Sequence, residues 1–149
     1  FLEAAGRADL DGLKGNAVEI GGWLRLKGAC DPARKAHRLA LRAAVQSGTS
    51  KRSILVTLGS RGAVLATCDG IWLARPPKIP KRLIRSATGC GDAATAGWMW
   101  ALSEGCEAQE TLRRSVACGT AKLASADPGG LDGVLARKLM RITRAEKLE

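Results

Sequence analysis

Hydrophobic and polar positions along this chain change period block by block, in an order that reads as strand, turn and helix in succession. Residues 1–10 have the spacing of a helix tail, 11–16 of a short strand or loop, and 17–26 of a short helix. Asp31-Pro32 is a helix opening, with Asp31 as N-cap and Pro32 in the first turn. The helix it predicts runs to about Gln46, with Ala36, Leu39, Ala40, Ala43 and Ala44 as its apolar face, and is stopped by Ser47-Gly48-Thr49-Ser50. Residues 53–57 form a short apolar run rich in β-branched side chains, the pattern of a buried parallel strand. A Gly-punctuated turn over 58–62 follows. Residues 63–67 and 71–74 then predict two strands joined by Cys68-Asp69-Gly70, a hairpin signal.

Pro76, Pro77 and Pro80 impose an extended loop, and 82–85 has the look of one more short strand. A strongly apolar helix is expected over 92–103, ended by Gly105, with Trp98 and Trp100 in the core. A second long helix should cover 108–125, closed by Asp127-Pro128-Gly129-Gly130, and a basic amphipathic one 131–144. This alternation predicts a layered α/β domain. No internal repeat, low-complexity tract or interdomain linker divides it, so 1–149 reads as a single unit.

Composition narrows the class. A chain of 149 residues, 46% hydrophobic and 26% charged, is long enough for one domain with a real core and is neither disordered nor fibrous. The longest mostly apolar run, 93–102, is too short to span a bilayer, and no leader-like segment opens the chain, so no membrane partner and a cytoplasmic location are expected. The first residue is Phe1, so the reading frame is expected to extend upstream. Five cysteines at wide spacing, with His37 as the only histidine, leave almost no ligand set for structural zinc and read as reduced thiols.

The net charge of +10 favours anionic partners such as nucleotides and phosphorylated metabolites. The cations are dispersed: Arg34, Lys35, Arg38 and Arg42 at helical spacing, then Lys78 to Arg85, then Arg137 to Lys147. Each group reads first as a solvated face, and a basic nucleic-acid-binding module is kept as an alternative. At 3% aromatics with no Tyr there is no stacking platform for single strands, so no specific nucleic acid is expected. His37, on a basic helix, should lie on the surface.

The segment with most chemistry is Ser86-Ala-Thr-Gly-Cys-Gly-Asp-Ala-Ala-Thr-Ala-Gly97. A Gly-x-Gly turn opens a buried helix and puts Asp92 in its first turn. Unpaired amides at a helix start, together with the helix dipole, favour an anion there. A carboxylate beside such a cradle supplies a base for an acceptor hydroxyl and donors for a phosphoryl group in transfer. By spacing alone the segment reads equally well as a tight turn with a capping Asp. Cys90 reads either as a small buried residue or as a thiol with a lowered pKa at a helix N-terminus.

The same segment closely resembles the second signature of the ribokinase-like (PfkB) carbohydrate kinases, a Thr-Gly-x-Gly-Asp core followed by small residues and Ala-Gly. Two further pieces fall in that family's order. Leu13-Lys-Gly-Asn-Ala-Val-Glu-Ile20 is similar to its Lys-Pro-Asn-x-x-Glu segment, with Gly15 in place of Pro, and Val56-Thr-Leu-Gly-Ser-Arg-Gly-Ala63 to its nucleotide-binding strand and turn. The resemblance spans about Leu13 to Leu131. It implies the C-terminal half of a three-layer ribokinase-like sandwich, with the N-terminal half and the lid outside this sequence.

It also implies ATP-dependent phosphorylation of a sugar or sugar-phosphate hydroxyl with Mg2+. Asp92 would be the base, and backbone groups of Gly89, Cys90 and Gly91 the anion hole. Thr57, Gly59, Ser60, Arg61 and Gly62 would bind ATP, Asn16 would lie near the triphosphate, and Glu19 would hold the Mg2+ and water network. Without the resemblance, Asn16 reads as a turn residue, Glu19 as a solvated helix position and Arg61 as a surface charge. Ser86 stands where many members carry an Asp linked to monovalent-cation binding, which argues against K+ activation.

That difference, the 91–97 run and Ala117-Cys-Gly-Thr-Ala-Lys122 look most like the 1-phosphofructokinase and tagatose-6-phosphate kinase branch. A hydroxyethylthiazole kinase shares the Gly-Asn-x-x-Glu pattern of residues 15–19 but not the match around Asp92. A nucleotide-binding fragment without catalysis is the other alternative. A sheet edge left uncovered by the absent half predicts marginal stability or association into a homodimer.

Overall fold

The computed structural model describes residues 12–47 and 53–148. The helix tail expected over 1–10 and the helix stop at Gly48-Thr49-Ser50 lie outside the described residues. Five strands form one sheet in the order β1-β2-β3-β4-β5: β1 (Gly12–Asn16), β2 (Ser53–Thr57), β3 (Ala63–Thr67), β4 (Gly70–Ala74) and β5 (Ala145–Lys147). The helices are α1 (Ala17–Trp23), α2 (Lys35–Gln46), α3 (Cys90–Ser103), α4 (Ala108–Lys122) and α5 (Gly133–Ile142). The mixed α/β class is as expected. The chain divides into two compact units. One comprises the described residues up to Gly59 with Ala63–Leu73 and 147–148; the other comprises Ser60–Gly62 and Ala74–Glu146.

In the first unit β1 and β2 are parallel, with Asn16 opposite Thr57, and β2 and β3 are antiparallel. A parallel pair needs a long crossover, and α1 and α2 supply it. Two residues, Cys68 and Asp69, suffice to turn β3 into β4. The core gathers Ile20, Cys30, Leu41, Val45, Ile54, Val56, Val64 and Ile71. Leu55 and Leu65 point the other way along their strands and are fully buried too. A strand buried on both faces is an unbroken apolar run rather than an alternating one, which is why 53–57 was readable.

Three expectations in this unit are corrected. Asp31 does not cap α2, whose N-cap is Arg34 with no side-chain bond. Instead Asp31 Oδ1 accepts from the Ala33 amide at 3.1 Å, and the chain turns once before the helix begins. His37 is not on the surface: it is buried, and its Nδ1 accepts from the Asp31 amide at 2.9 Å. The buried face of α2 is therefore His37, Leu41 and Val45, while Leu39 is half exposed.

In the second unit α3 and α4 pack with little between them. A Cβ on Gly97 would meet Arg114 O at 2.7 Å and Cys118 Sγ at 2.9 Å, and one on Gly119 would meet Cys90 O at 3.1 Å. Buried Ser115 donates to Ala94 O at 2.9 Å across the same seam. α5 closes over Ala117, Cys118 and Ala121 with Ala136 and Leu139. Its start is later than expected because Asp132 caps it, accepting from Val134 and Leu135.

The strand expected over 82–85 is a 3-10 turn, Lys81–Leu83, followed by irregular chain. The Arg85 and Ser86 amides donate to Leu123 O at 2.7 and 3.4 Å rather than to a ladder. Trp98 is buried as expected. Trp100, two residues on and so on another side of the helix, is 41% exposed, with the Arg114 guanidinium 4.2 Å over its ring. α4 ends three residues early, at Lys122, where the next amides tighten to i−3 bonds. β5 had no sequence signal, since three residues are too few to show a period.

Candidate active site

The residues singled out from the sequence fall into a group in each unit. In the first, β1 and β2 run parallel and end side by side, so Asn16 and Thr57 are neighbours at their C-terminal ends. That end of a parallel pair is where α/β sheets hold ligands. Thr57 Oγ1 donates to Gly15 O across the pair at 3.5 Å, a long bond. Gly59 follows on an exposed turn at φ +62, with nothing within 4 Å of a would-be Cβ. Backbone so bare leaves room for a ligand to come close.

Asn16 and Glu19 have a local task. Asn16 Oδ1 accepts from the Val18 and Glu19 amides at 2.9 Å each, and Glu19 Oε2 accepts from the Asn16 amide at 2.7 Å. This is a reciprocal capping box, worth about 1 kcal/mol to the helix start. The Asn-x-x-Glu spacing was its signal in the sequence, and it was read there only for its ligand chemistry. Among the described residues, no group of three or more His, Cys, Asp and Glu side chains could hold a metal ion. Mg2+ keeps most of its waters and takes one or two carboxylates plus substrate phosphates. Glu19, exposed and with Oε1 unengaged by any described residue, fits that water-mediated part.

The second unit holds Ser60, Arg61 and Gly62, where Ser60 and Arg61 are exposed and Gly62 is buried. It also holds the whole turn into α3. Gly89 is the N-cap at φ +79 and offers no side-chain bond. A Cβ there would also lie 3.1 Å from Lys122 Cε and 3.2 Å from Pro128 O, so the turn needs glycine for both conformation and space. The Cys90 amide makes one long bond, 3.4 Å, to Ala87 O; those of Gly91 and Asp92 have no backbone partner among the described residues. Asp92 is exposed in the first turn of α3, and its carboxylate makes no hydrogen bond or ion pair with any described residue. Two open amides and an unengaged carboxylate, at the positive end of a 14-residue helix, form an arrangement that can receive an anion and accept a proton.

A lowered Cys90 pKa is corrected. Burial pushes this thiol above its ordinary value, and the Lys122 ammonium offsets only part of that. All five cysteines are free. Burial likewise raises the thiols of Cys30 and Cys118. At pH 7.5 iodoacetamide should therefore label exposed Cys68 well ahead of Cys30, Cys90 and Cys118, as peptide mass mapping would read. Labelling of Cys90 as fast as Cys68 would mean that the helix start outweighs burial.

Lys122 was read in the sequence only as the end of the 117–122 stretch, and its place beside this turn was missed. It is 2% exposed, the last residue of α4, and its stem lies against Gly89. A basic residue in a last helical turn normally faces water, so nothing in the pattern marked this one.

Comparison with known proteins gives consistent findings. The family model described as pfkB family carbohydrate kinase matches residues 4–130. A 1-phosphofructokinase of Rhodobacter capsulatus is 33% identical over 127 residues, which are 85% of this chain and 37% of that protein. The 1-phosphofructokinase of Escherichia coli K12 is 27% identical over 79 residues, 53% of this chain and 24% of that one. Among solved structures, Escherichia coli phosphofructokinase-2 in complex with substrates and products superposes with a TM-score of 0.80 at 21% identity, covering 95% of this chain and 43% of that chain. The chain thus spans between a quarter and somewhat over two fifths of these proteins. Among the described residues no helix is long and apolar enough to cross a membrane.

Proposed function

This chain belongs to the pfkB family of carbohydrate kinases, and from that premise we propose that the protein transfers the γ-phosphoryl group of ATP to a hydroxyl of a sugar phosphate. The observation that carries the reading is the state of Asp92: exposed, without a partner among the described residues, and set beside open amides on the first turn of α3. As the acceptor oxygen attacks the γ-phosphorus, its proton passes to the Asp92 carboxylate, the bond to the β–γ bridging oxygen breaks, and ADP leaves. The turn formed by Gly89, Cys90 and Gly91 meets the charge on the transferring group.

The other roles follow the same reading. Thr57, Gly59, Ser60, Arg61 and Gly62 bind the nucleotide, and Asn16 lies towards its phosphates. Glu19 would help to hold a Mg2+ ion, which would supply positive charge to the phosphate oxygens. Relatives named 1-phosphofructokinase favour a phosphorylated ketohexose as acceptor, and a net charge of +10 suits so anionic a pair of substrates. The absence of a membrane-crossing helix among the described residues is compatible with a cytoplasmic enzyme.

Calorimetric titration with ATP and Mg2+ tests the nucleotide half. Gly59→Asp should weaken binding by more than about tenfold, because a carboxylate replaces bare backbone beside the triphosphate. Asp92→Asn should bind as the parent does. Equal binding by Gly59→Asp would remove this turn from the site.

A further inference from the structure

The net charge of +10 is not spread evenly over the chain. Two stretches without a carboxylate, 71–91 with five cations and 133–145 with four, account for nearly all of it. In the first, Arg75 is paired with Glu146 at 2.6 Å. The side chains of Lys78, Lys81, Arg82 and Arg85 are exposed and have no partner among the described residues. In the second, the same holds for Arg137, Lys138, Arg141 and Arg144. The carboxylates that precede this second stretch are engaged locally: Asp127 Oδ1 accepts from the Gly129 amide at 3.0 Å, and Asp132 caps α5.

Packing brings both stretches to α4. Ile79 packs against a cluster made of Ala117, Cys118 and Ala121 from α4 with Ala136 and Leu139 from α5. Leu123 O, just past the end of α4, accepts from the Arg85 and Ser86 amides. Near the start of α4, the Arg113 guanidinium donates to Met140 O at 2.7 Å and to Thr143 O at 2.9 Å, so α5 runs antiparallel along α4. The loop and α5 thus flank a helix of 15 residues, about 22 Å long. Along α5, Arg137, Arg141 and Arg144 stand at i, i+4 and i+7, one row on its exposed side. Like charges four apart weaken a helix, so this row works against folding and asks for a partner of opposite sign.

We propose that the 78–85 loop and the outer row of α5 form a sequence-independent docking surface for double-stranded nucleic acid, bound through its phosphates. Several features select this partner among polyanions. Five of the eight cations are arginine, whose planar fork engages phosphate oxygens two at a time. Residues 78–85 and 133–145 contain no aromatic side chain, so the unstacked bases of a single strand gain nothing there. An anionic membrane is a poorer fit. The apolar face of α5 is already buried against α4, and exposed Val134 and Ile142 lack the aromatic neighbours that seat a helix among headgroups. A duplex needs neither, because its regular rows of phosphates are met by cations alone. The assignment uses neither Asp92 nor the open amides beside it, and so stands independently of the kinase reading.

Fluorescence anisotropy tests it, with the full-length protein titrated into a labelled DNA duplex of about 20 base pairs at about 50 to 200 mM salt, and a matched RNA duplex beside it. With about five phosphates neutralised, log K should fall against log salt with a slope of about −4 to −5. Two triple variants, Arg137→Gln/Arg141→Gln/Arg144→Gln and Lys81→Gln/Arg82→Gln/Arg85→Gln, should each make the slope shallower by about 2 to 3 and weaken binding about tenfold or more. Arg34→Gln/Lys35→Gln/Arg42→Gln removes as many exposed cations from the other unit and should leave the slope within about 1 of the parent. The replaced side chains are exposed and have no partner among the described residues, so each variant should melt near the parent.

Binding of either duplex with these losses supports the surface, and the tighter of the two names the source. No binding of either at about 50 mM salt overturns it. An equal loss in the α2 variant does so too, since the effect would then be one of net charge. A loss confined to one of the two triple variants overturns the joint face. Displacement of the duplex by saturating ATP and Mg2+ would move the contact to the nucleotide turn and overturn the proposal, as would tighter retention on phosphatidylserine vesicles than on either duplex.

Discussion

Replacing Asp92 by Asn lowers sugar-phosphate turnover by about 100- to 10,000-fold, the usual contribution of a positioned general base, while ATP binding and melting temperature stay near those of the parent. The side chains are nearly the same size, and the carboxylate has no bond to any described residue that Asn would break. What changes is proton affinity: an amide oxygen cannot take the acceptor's proton at neutral pH. The structural cost is confined to one negative charge in the first turn of α3, about 0.3–1 kcal/mol. Steady-state kinetics with ATP and a ketohexose phosphate, beside a melting curve of each protein, separate the two effects. A loss of turnover in proportion to a loss of folded protein would make Asp92 a cap and nothing more. Turnover unchanged in a folded variant would place the base elsewhere.

What the sequence made legible, and what it hid, divide along the range of the forces involved. β2 was readable because burial on both faces leaves an unbroken apolar run, and β4 was readable over 71–74 from the Asp-Gly turn signal, although the strand itself begins at Gly70. The Gly89-Cys90-Gly91-Asp92 turn was readable because its backbone conformation and its closeness to Lys122 both require the first glycine. Asp31 misled because a local cap signal competes with a longer-range one: its own amide is drawn to buried His37, and the helix starts four residues later. Trp98 and Trp100 could have been told apart, since positions two apart on a helix face different ways, and only one can lie in the core. Lys122 could not, because its partners are carbonyls, which every residue carries and no sequence pattern marks.

Replacing Gly62 by Ala destabilises the fold by about 2–5 kcal/mol, far more than the same change at Gly59. Both glycines have positive φ, +98 and +62, where an added Cβ strains the backbone by about 1–2 kcal/mol. At Gly59 that strain is the whole cost, because nothing lies within 4 Å of the new atom. At Gly62 the Cβ would sit 1.9 Å from Ala74 O and 2.9 Å from both Ala74 C and Arg75 Cα. These are backbone atoms at the end of β4, so no rotamer change relieves the overlap and the chain itself must move. Overpacking of that kind adds about 1–3 kcal/mol. Against a total stability of roughly 5–15 kcal/mol the sum is a large fraction, and at about 2–4 °C per kcal/mol it lowers the melting temperature by about 4–20 °C. Thermal melts of Gly62→Ala and Gly59→Ala side by side check it. Equal small shifts would mean that the turn relaxes away from Ala74 without loss, and that Gly62 serves flexibility alone. A large shift at Gly62 only would show that, of the two glycines in Gly59-Ser-Arg-Gly62, Gly62 alone is required to let strand backbone pass.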